Sequence, residues 1–172
     1  ANLTKKQRHE LRRKRRRLED SDSSQLLWVQ TPQQVSQMFP EFCRLHRLSH
    51  PEKENFMTAS MEDFFGELLS QMAGEGLLQL AFLVQKDQAI ASMLHFKSYP
   101  SSCGSLELYN SGFDPQFREL APGFVLLSYC IEWACTQRIP EYNFLRGNER
   151  YKYDLGGRDR LVYRAHWPAG HL

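Results

Sequence analysis

The first half of the chain alternates short apolar runs with polar segments, and this pattern predicts a strand followed by two helices. Residues 26–30 form an apolar run that favours a strand. Thr31 and Pro32 then supply an N-cap and a proline at the first helical position, and Pro51 ends the helix that they open. A second amphipathic helix is predicted over residues 61–72.

Three extended segments follow, at residues 78–84, 89–96 and 105–113. Polar turns that contain glycine, proline or serine separate them. The first two segments are close enough in sequence to form a hairpin, and the third follows a Pro-Ser-Ser-Cys-Gly turn. Together they are predicted to form an antiparallel meander.

The pattern changes at residues 123–137, which are apolar on almost every side and too long for a strand. This run predicts a buried helix. A short strand over residues 141–145 and a last strand over residues 160–167 follow it. Because a strand, a helix and a strand in this order form a crossover, the strands at 105–113 and 141–145 are expected to lie parallel and side by side.

The parallel pair predicts where a ligand binds. In open sheets of this kind, ligands bind beyond the carboxyl ends of the parallel strands. Those ends lead into two polar segments, residues 114–122 and 146–154. We therefore expect both segments to meet at one crevice, with the stretch RGNERYK, residues 146–152, lining it.

The composition fits one globular domain. The chain has 172 residues, 41% of them hydrophobic, which is enough for one core but too short for two ordinary domains. It contains no apolar run of membrane-spanning length, and its start is too polar for a secretory signal, so a cytoplasmic location is expected. The four cysteines have no metal-binding spacing and are expected to be reduced and mostly buried, with Cys130 and Cys135 in the core.

Positive charge is concentrated at the start of the chain. The formal net charge is only +2, yet nine of the 22 Lys and Arg residues lie between Lys5 and Arg17. Thr4 is a plausible N-cap, so residues 1–22 are predicted to form a basic helix and linker ahead of a domain at residues 23–172. A solvated helix that joins the domain to a neighbour is the favoured interpretation, and nucleic-acid binding is the alternative.

Other familiar motifs assign no chemistry. His46 and His50 have the spacing of two zinc ligands on a helix, but the glutamate of H-E-x-x-H is missing. Pro51 places His50 at a helix end, which favours a capping role. The sequence has no serine nucleophile elbow, P-loop or G-x-G-x-x-G motif, and we expect no metal site.

The start of the predicted buried helix is suited to an anion. The first helical turn leaves amide N–H groups unpaired, and Gly123 allows a ligand to approach them closely. A phosphate or pyrophosphate there could be neutralised by basic residues from the two polar segments. These are Arg118, Arg146, Arg150 and Lys152.

The strand before this helix alternates in polarity. Leu106, Leu108 and Asn110 are predicted to face one side. Glu107, Tyr109 and Ser111 are predicted to face the other. The second face is predicted to be exposed to solvent and adjoins the predicted crevice. Glu107 and Tyr109 are therefore candidates for contact with a substrate.

The order of elements and several stretches resemble a known superfamily. The stretches are LRRKRRRLE, CRLHRLSH, SGFDPQFRELAPGFVLL and NFLRGNERYK. They are similar to the GNAT acyltransferases, and specifically to the acetyltransferase domain of the CelD/BcsL group, relatives of the Fem-type aminoacyl transferases. The resemblance implies an α/β (α+β) fold, with a central mixed twisted sheet, helices on both faces and a basic N-terminal helix.

The resemblance also implies an acyl-CoA donor, with acetyl-CoA expected, and no metal. Coenzyme A would lie at the loop before Gly123, with its pantetheine arm between the parallel strands. The usual glycine-rich loop of the superfamily is reduced here to one glycine. The residues assigned to coenzyme A are Ser111, Gly112, Phe113, Arg118, Pro122, Gly123 and Phe124.

The implied reaction is acyl transfer to an amine, such as an amino sugar or a precursor of the cell envelope or exopolysaccharide. By its place in the fold, Tyr151 resembles the tyrosine that protonates the leaving thiolate, although a packing role is equally compatible with the sequence. Glu107 or Glu149 would accept the amine proton. The residues assigned to the acceptor are Tyr109, Arg146, Asn148 and Lys152.

Relatives in this group usually carry two such lobes. A second lobe would then be supplied by another part of the protein or by homodimerisation. The competing hypothesis is a non-catalytic GNAT-like lobe, or a fragment of a Fem-type transferase, that binds tRNA or an envelope precursor. Binding of acyl-CoA distinguishes the two classes.

Overall fold

The computed structural model describes residues 3–20, 24–98 and 104–165, and five strands form its central sheet. The strands are β1 (Ser24–Val29), β2 (Leu78–Gln85), β3 (Gln88–Lys97), β4 (Ser105–Phe113) and β5 (Glu141–Asn143). The helices are α1 (Lys5–Glu19), α2 (Pro32–Ser49), α3 (Pro51–Phe56), α4 (Ala59–Gly74), α5 (Pro122–Thr136) and α6 (Arg150–Asp154). A 3₁₀ helix covers Pro115–Leu120.

The strands are arranged in the order β1-β2-β3-β4-β5. The first four pair antiparallel, whereas β4 and β5 pair in parallel across the α5 crossover. The meander, the crossover and the parallel pair predicted from the sequence are therefore confirmed.

Alternation along β2 divides the core into two layers. Leu80 and Phe82 pack with α2 and α4 on one face of the sheet. Ala81 and Leu83 pack with α5 and with Leu18 of α1 on the other. All four side chains are almost fully buried because β2 is an interior strand with helices on both faces.

The N-cap residues that the sequence predicts at the helix starts are present. Thr4 and Thr31 each form a capping box with the glutamine three residues later, at the starts of α1 and α2. The side chain of His50 caps α3, a short helix that was not predicted, by accepting a hydrogen bond from the Glu52 N–H at 3.3 Å. The capping role expected for His50 is confirmed.

Helix α1 lies on α5 and is not fully solvated. Arg15 donates to the Ser128 hydroxyl at 2.8 Å and to Glu132 at 2.7 Å, and its guanidinium stacks on the Tyr129 ring at 4.1 Å. Leu18 of the same helix is 1% exposed. One face of the basic helix is thus part of the folded domain.

A buried polar pair holds β5 to the sheet. Burial lowers the pKa of His95 to about 4, so its ring is neutral. The Nδ1–H can then donate to the Gln79 carbonyl at 3.3 Å, while Nε2 accepts the Tyr142 hydroxyl at 2.6 Å. Tyr142 is the central residue of β5, so this bond fixes the strand across β4.

Two sequence predictions need correction. No strand forms over the described residues 160–165, where Leu161, Val162 and Tyr163 are 76–85% exposed. The neighbouring β5 is only three residues long and offers few main-chain groups for pairing; residues 166–167 lie outside the described chain. Cys135 is exposed and not in the core, unlike Cys43 and Cys130, and residue 103 is not described.

Candidate active site

The site is built around the divergence of two parallel strands. β4 and β5 pair only from Ser105 to Glu107 on one side and from Glu141 to Asn143 on the other. β4 continues to Phe113 without a β5 partner. The unpaired side of its second half therefore borders a gap at the carboxyl end of β4.

A β-bulge at Tyr109 marks the start of this gap. Leu108 pairs with His95 and Asn110 pairs with Leu94, so Tyr109 is an extra residue in β4. Its ring is 44% exposed and lies 5.9 Å from the Phe65 ring. The bulge corrects the predicted alternation, because the side chain of Asn110 lies on the α2 side, near His46, and not on the side of Leu108.

The main chain of Ser111 is turned towards the gap. Its N–H donates to the Asn110 Oδ1 atom at 2.8 Å, and its carbonyl accepts a hydrogen bond from the Lys53 ammonium of α3. In an antiparallel pair, a residue whose N–H and C=O groups do not bond to one neighbouring strand directs both groups to the opposite side. The side chains of Asn110 and Lys53 thus bond to the main-chain groups of Ser111 that a continuing β5 would pair with.

Lys53 was not identified from the sequence, and His46 was considered only as one of two histidines at the spacing of zinc ligands. Burial lowers the pKa of the Lys53 ammonium. Burial also lowers the pKa of His46 to about 4, and the nearby charge of Lys53 acts in the same direction. His46 is 1% exposed, and neither ring nitrogen has hydrogen-bond geometry to any described residue, although Asn110 lies close by. Lys53 belongs to no motif that the sequence analysis describes.

Gly112 allows the end of β4 to approach α2 closely. A Cβ atom there would lie 2.5 Å from the His46 nitrogen and from the Leu45 carbonyl carbon. Those are main-chain atoms, which cannot move aside as a flexible side chain can. The glycine therefore packs against α2, and its assignment to coenzyme A stays a prediction.

The predicted anion site at the start of α5 is open. Ala121, the N-cap residue, has φ 50° and makes no side-chain cap. A Cβ atom on Gly123 would meet nothing within 4 Å. Pro122 is buried beneath this turn, and Lys14 of α1 lies 5.1 Å from the centre of the Phe124 ring. The first amides of α5 are thus accessible, with a cation nearby.

The segment leading into α5 is well ordered by local bonds. The carboxylate of Asp114 accepts the Gln116 N–H at 3.0 Å and caps the 3₁₀ helix. Arg44 of α2 lies 3.5 Å from the same carboxylate. Arg118 is exposed, and Phe113 packs into the α5 side of the core.

The segment after β5 is bonded mostly to itself. The buried ammonium of Lys152 donates to the carbonyls of Arg146 at 2.6 Å and Gly147 at 3.2 Å. It also pairs with the Glu149 carboxylate at 2.9 Å, and this bond lowers the pKa of Glu149. Asn148 is exposed at the tip. The observed contacts of Lys152 are internal, and its assignment to the acceptor stays a prediction.

Tyr151 and Glu107 are the candidate catalytic residues that take no part in the ion pair between Lys152 and Glu149. Their surroundings differ. The Tyr151 ring lies 6.5 Å from the Phe144 ring, and burial raises the pKa of its hydroxyl, which bonds to none of the described residues. Glu107 is partly buried and accepts a hydrogen bond from Ser105 Oγ at 3.2 Å. Tyr151 therefore packs through its ring and keeps its hydroxyl available.

A cavity of about 950 Å³ lies beside β5 and the second half of α5. Its lining includes Ile131 and Cys135 of α5, together with Arg146, Lys152 and Arg158. The predicted donor residues at the start of α5 do not line it. No hydrogen bond or ion pair between described residues joins the two polar segments, so their meeting in one crevice stays a prediction.

The part of the chain that the structure describes contains neither a membrane-spanning helix nor a metal-binding group of side chains. Within residues 3–20, 24–98 and 104–165, no helix is both long enough and apolar enough to cross a membrane. Over the same ranges, no group of three or more His, Cys, Asp or Glu side chains could hold a metal ion.

The fold and the diverging parallel strands define a class, the GNAT-like acyltransferase domains. The sequence model described as "Acetyltransferase (GNAT) domain" matches residues 5–153. The chain therefore belongs to the GNAT acetyltransferase family, and it is an acyl-CoA-dependent acyltransferase domain. The match begins within α1.

Solved structures show the same fold at low sequence identity. An aminoglycoside acetyltransferase, meta-AAC0020, from an uncultured soil metagenomic sample in complex with sisomicin has a TM-score of 0.62 at 11% identity, covering 87% of this chain and 98% of its own. AAC(6')-Iy in complex with a CoA-linked bisubstrate analogue has a TM-score of 0.60 at 13% identity, covering 84% and 98%. No curated protein sequence matches the chain significantly.

Proposed function

We propose that this protein transfers an acyl group from acetyl-CoA to the amine of a small acceptor, an amino sugar or a precursor of the cell envelope or exopolysaccharide. The observation that carries the proposal is the divergence of β4 and β5 after Glu107. It leaves the main chain of Ser111 facing a gap between the two strands. An amino-sugar acceptor is supported by two of the structural neighbours, one in complex with sisomicin and one with a CoA-linked acetylneamine analogue.

The residues at the start of α5 fit a phosphate-bearing donor. The uncapped N-terminus of α5 carries a partial positive charge, and Gly123 leaves its amides accessible. Arg118 and Lys14 can add positive charge. In this proposal Ser111, Gly112, Phe113, Pro122 and Phe124 form the remaining walls of the donor site.

The chain's own residues would then move two protons. Glu107 accepts a proton from the acceptor amine, directly or through water, and Tyr151 gives a proton to the departing thiolate. We favour Glu107 for this role, because the ion pair with Lys152 lowers the pKa of Glu149 and makes Glu149 a weaker proton acceptor than a free carboxylate. Tyr109, Arg146, Asn148 and Lys152 are the proposed acceptor contacts.

We also propose that the protein belongs with the CelD/BcsL group and its Fem-type relatives. In that group the acceptor site lies between two lobes, so a second lobe, or a second copy of the chain, would complete it. Analytical ultracentrifugation with and without acetyl-CoA tests the second copy directly. A monomer with full activity would contradict it.

Donor binding is the first test. A ligand at 100 times its dissociation constant adds about 2.7 kcal/mol of stability, and each kcal/mol is worth roughly 2–4 °C in Tm for a domain of this size. Acetyl-CoA should therefore raise Tm clearly, and thiol should be released when amino sugars or aminoglycosides are added. A Tm that is unchanged by acetyl-CoA and by longer acyl-CoA would refute the enzyme proposal.

One observation favours the alternative, a lobe that binds nucleic acid. Most basic side chains of α1 remain exposed although the helix is docked, among them Lys5, Arg12 and Arg16. Phosphate contacts make binding steeply salt-dependent. If tRNA binds with a steep salt slope that charge-neutral substitutions of these residues abolish, while acetyl-CoA does not bind, the alternative is the better proposal.

A further inference from the structure

Lys53 places an ammonium group at the gap between β4 and β5. The residue lies on α3, and its ammonium donates to the carbonyl of Ser111, on the stretch of β4 that has no β5 partner. The Ser111 N–H is already held by the Asn110 side chain at 2.8 Å. Both main-chain groups of Ser111 are therefore fixed, and so is the ammonium that bonds to one of them.

This cation has no anionic partner in the described part of the chain. It takes part in no ion pair there, and one of its three N–H groups is used by Ser111. Its histidine neighbour, His46, is neutral because burial and the charge of Lys53 itself lower the histidine pKa to about 4. A partly buried, unpaired ammonium is costly, and an anion in the gap would compensate it.

We propose that Lys53 is a catalytic residue, whose ammonium stabilises the negative charge that develops on the thioester carbonyl oxygen during acyl transfer. This inference rests on the proposed acyl-CoA reaction and adds a residue to it. A fixed donor that faces developing charge is the arrangement that lowers a barrier, since no reorganisation is needed as the charge forms.

The reaction balances without a further reactant. The amine lone pair forms the C–N bond, and the carbonyl π electrons move to oxygen, next to the Lys53 ammonium. The oxygen electrons then re-form the carbonyl, the C–S bond breaks, and sulfur leaves with its electron pair. One proton is lost from nitrogen and one is gained by sulfur, which gives an amide and a free thiol, and Lys53 stays protonated throughout.

Substitutions separate a catalytic cation from a structural bond. Lys53→Gln keeps an N–H donor for the Ser111 carbonyl but removes the charge. We expect kcat for thiol release from acetyl-CoA, with a panel of amino sugars, to fall by roughly 10²–10³-fold. KM for acetyl-CoA should change little, and Lys53→Arg should restore part of kcat because it restores the charge.

Lys97 is the matched control. It is also a lysine whose pKa is lowered by burial, and it donates to a main-chain carbonyl, that of Gly76, at 3.1 Å. Lys97→Gln should leave kcat unchanged. Equal kcat in the parent and in Lys53→Gln, or an arginine variant no better than the glutamine variant, overturns the inference.

A second readout does not depend on turnover. An amine-labelling reagent followed by mass spectrometry reports how accessible each lysine is. Acetyl-CoA should protect Lys53 but not Lys97, whereas adenosine 3′,5′-bisphosphate, which lacks the acyl chain, should protect neither. If acetyl-CoA raises Tm yet leaves labelling of Lys53 unchanged, this inference fails alone. If acetyl-CoA neither binds nor turns over, the proposed function fails and the inference fails with it.

Discussion

The two polar segments that follow the parallel strands differ in how their polar groups are used. After β5, the ammonium of Lys152 bonds to two carbonyls of its own segment and to Glu149. After β4, the first turn of α5 has no side-chain cap, and Gly123 stands in open space. The segment after β5 has more charged residues in its sequence, and its polar groups are more completely hydrogen-bonded within the segment.

This difference shows that a high density of polar residues does not by itself indicate a ligand-binding segment. Polar groups that already have internal partners are less available to a ligand than groups that the fold leaves without one. The stretch RGNERYK supplies its own partners, so much of its polarity stabilises a bend. The sparser segment before α5 leaves amides free, and the main chain of Ser111 in β4 bonds to the side chains of Lys53, from α3, and of Asn110.

The largest expected effect tests whether the segment after β5 also performs chemistry. If the Tyr151 hydroxyl protonates the leaving thiolate, Tyr151→Phe should lower kcat by roughly 10²–10⁴-fold and leave KM for acetyl-CoA almost unchanged. The ring packing against Phe144 is retained in this variant. The measurement is thiol release at saturating acetyl-CoA.

Tyr153 provides the control for this variant. Its exposed hydroxyl donates to Asp159 at 2.8 Å, and Tyr153→Phe removes the same atom two residues away. The control should keep the parental kcat. A parental rate in Tyr151→Phe as well would make the segment after β5 purely structural and would sharpen the contrast with the segment after β4.

The next effect concerns stability at the end of β4. Gly112→Ala places a Cβ atom 2.5 Å from the main chain of α2, so the strand and the helix must move apart. Overpacking of this kind costs about 3 kcal/mol of unfolding free energy. Urea denaturation measures it, and Gly123→Ala, whose Cβ meets no atom, should be close to neutral.

If instead Gly112→Ala unfolds at the parental urea concentration but binds acetyl-CoA less well, the glycine serves the donor and not the packing. That result would place Gly112 with the open part of the site.

Much of the fold could be predicted because its signals are local. Thr4, Thr31 and Pro51 mark helix ends by hydrogen-bond chemistry within a few residues, and the apolar runs give the strand order through the crossover rule. The last strand was predicted by the same local pattern, but residues 160–165 do not form one. A strand also needs a partner, which a local pattern does not supply.

The site was less predictable because it depends on contacts between distant residues. The bulge at Tyr109 arises from the pairing of β3 and β4, and it moves Asn110 to the other face. Lys53 lies in an ordinary helical stretch, 58 residues before the carbonyl that it contacts. Neither has a signal in the sequence, since each depends on how α3 and β3 pack against β4.

The third effect tests the self-sufficiency of the segment after β5. Lys152→Met leaves the carbonyls of Arg146 and Gly147 without their donor and leaves Glu149 unpaired. The loss of unfolding free energy should be about 2 kcal/mol, since hydrogen bonds that involve a charged group contribute roughly 1.5–3 kcal/mol. Arg150→Met is the matched variant: its side chain is 93% exposed, so its stability should not change.

A different pattern would contradict the internal role of Lys152. If the methionine variant keeps its stability and loses affinity for the acceptor, the ammonium is used by a ligand, and the two segments are more alike than their hydrogen bonds indicate.

The smallest expected effect concerns the open segment itself. Gly123→Val puts a branched side chain over the amides at the start of α5, where a Cβ atom on the glycine would have free space. If these amides hold the donor's pyrophosphate, the dissociation constant for coenzyme A should rise about tenfold, or about 1.4 kcal/mol. Stability should not fall, because valine is a better helix former than glycine and the position is at a helix end. Calorimetric titration measures the affinity, and Gly123→Ala, with its smaller side chain, should lie between the parent and the valine variant. Unchanged affinity in both variants would mean that the pyrophosphate binds elsewhere, and the cavity beside β5, lined by Arg146 and Arg158, would become the better candidate for the phosphates.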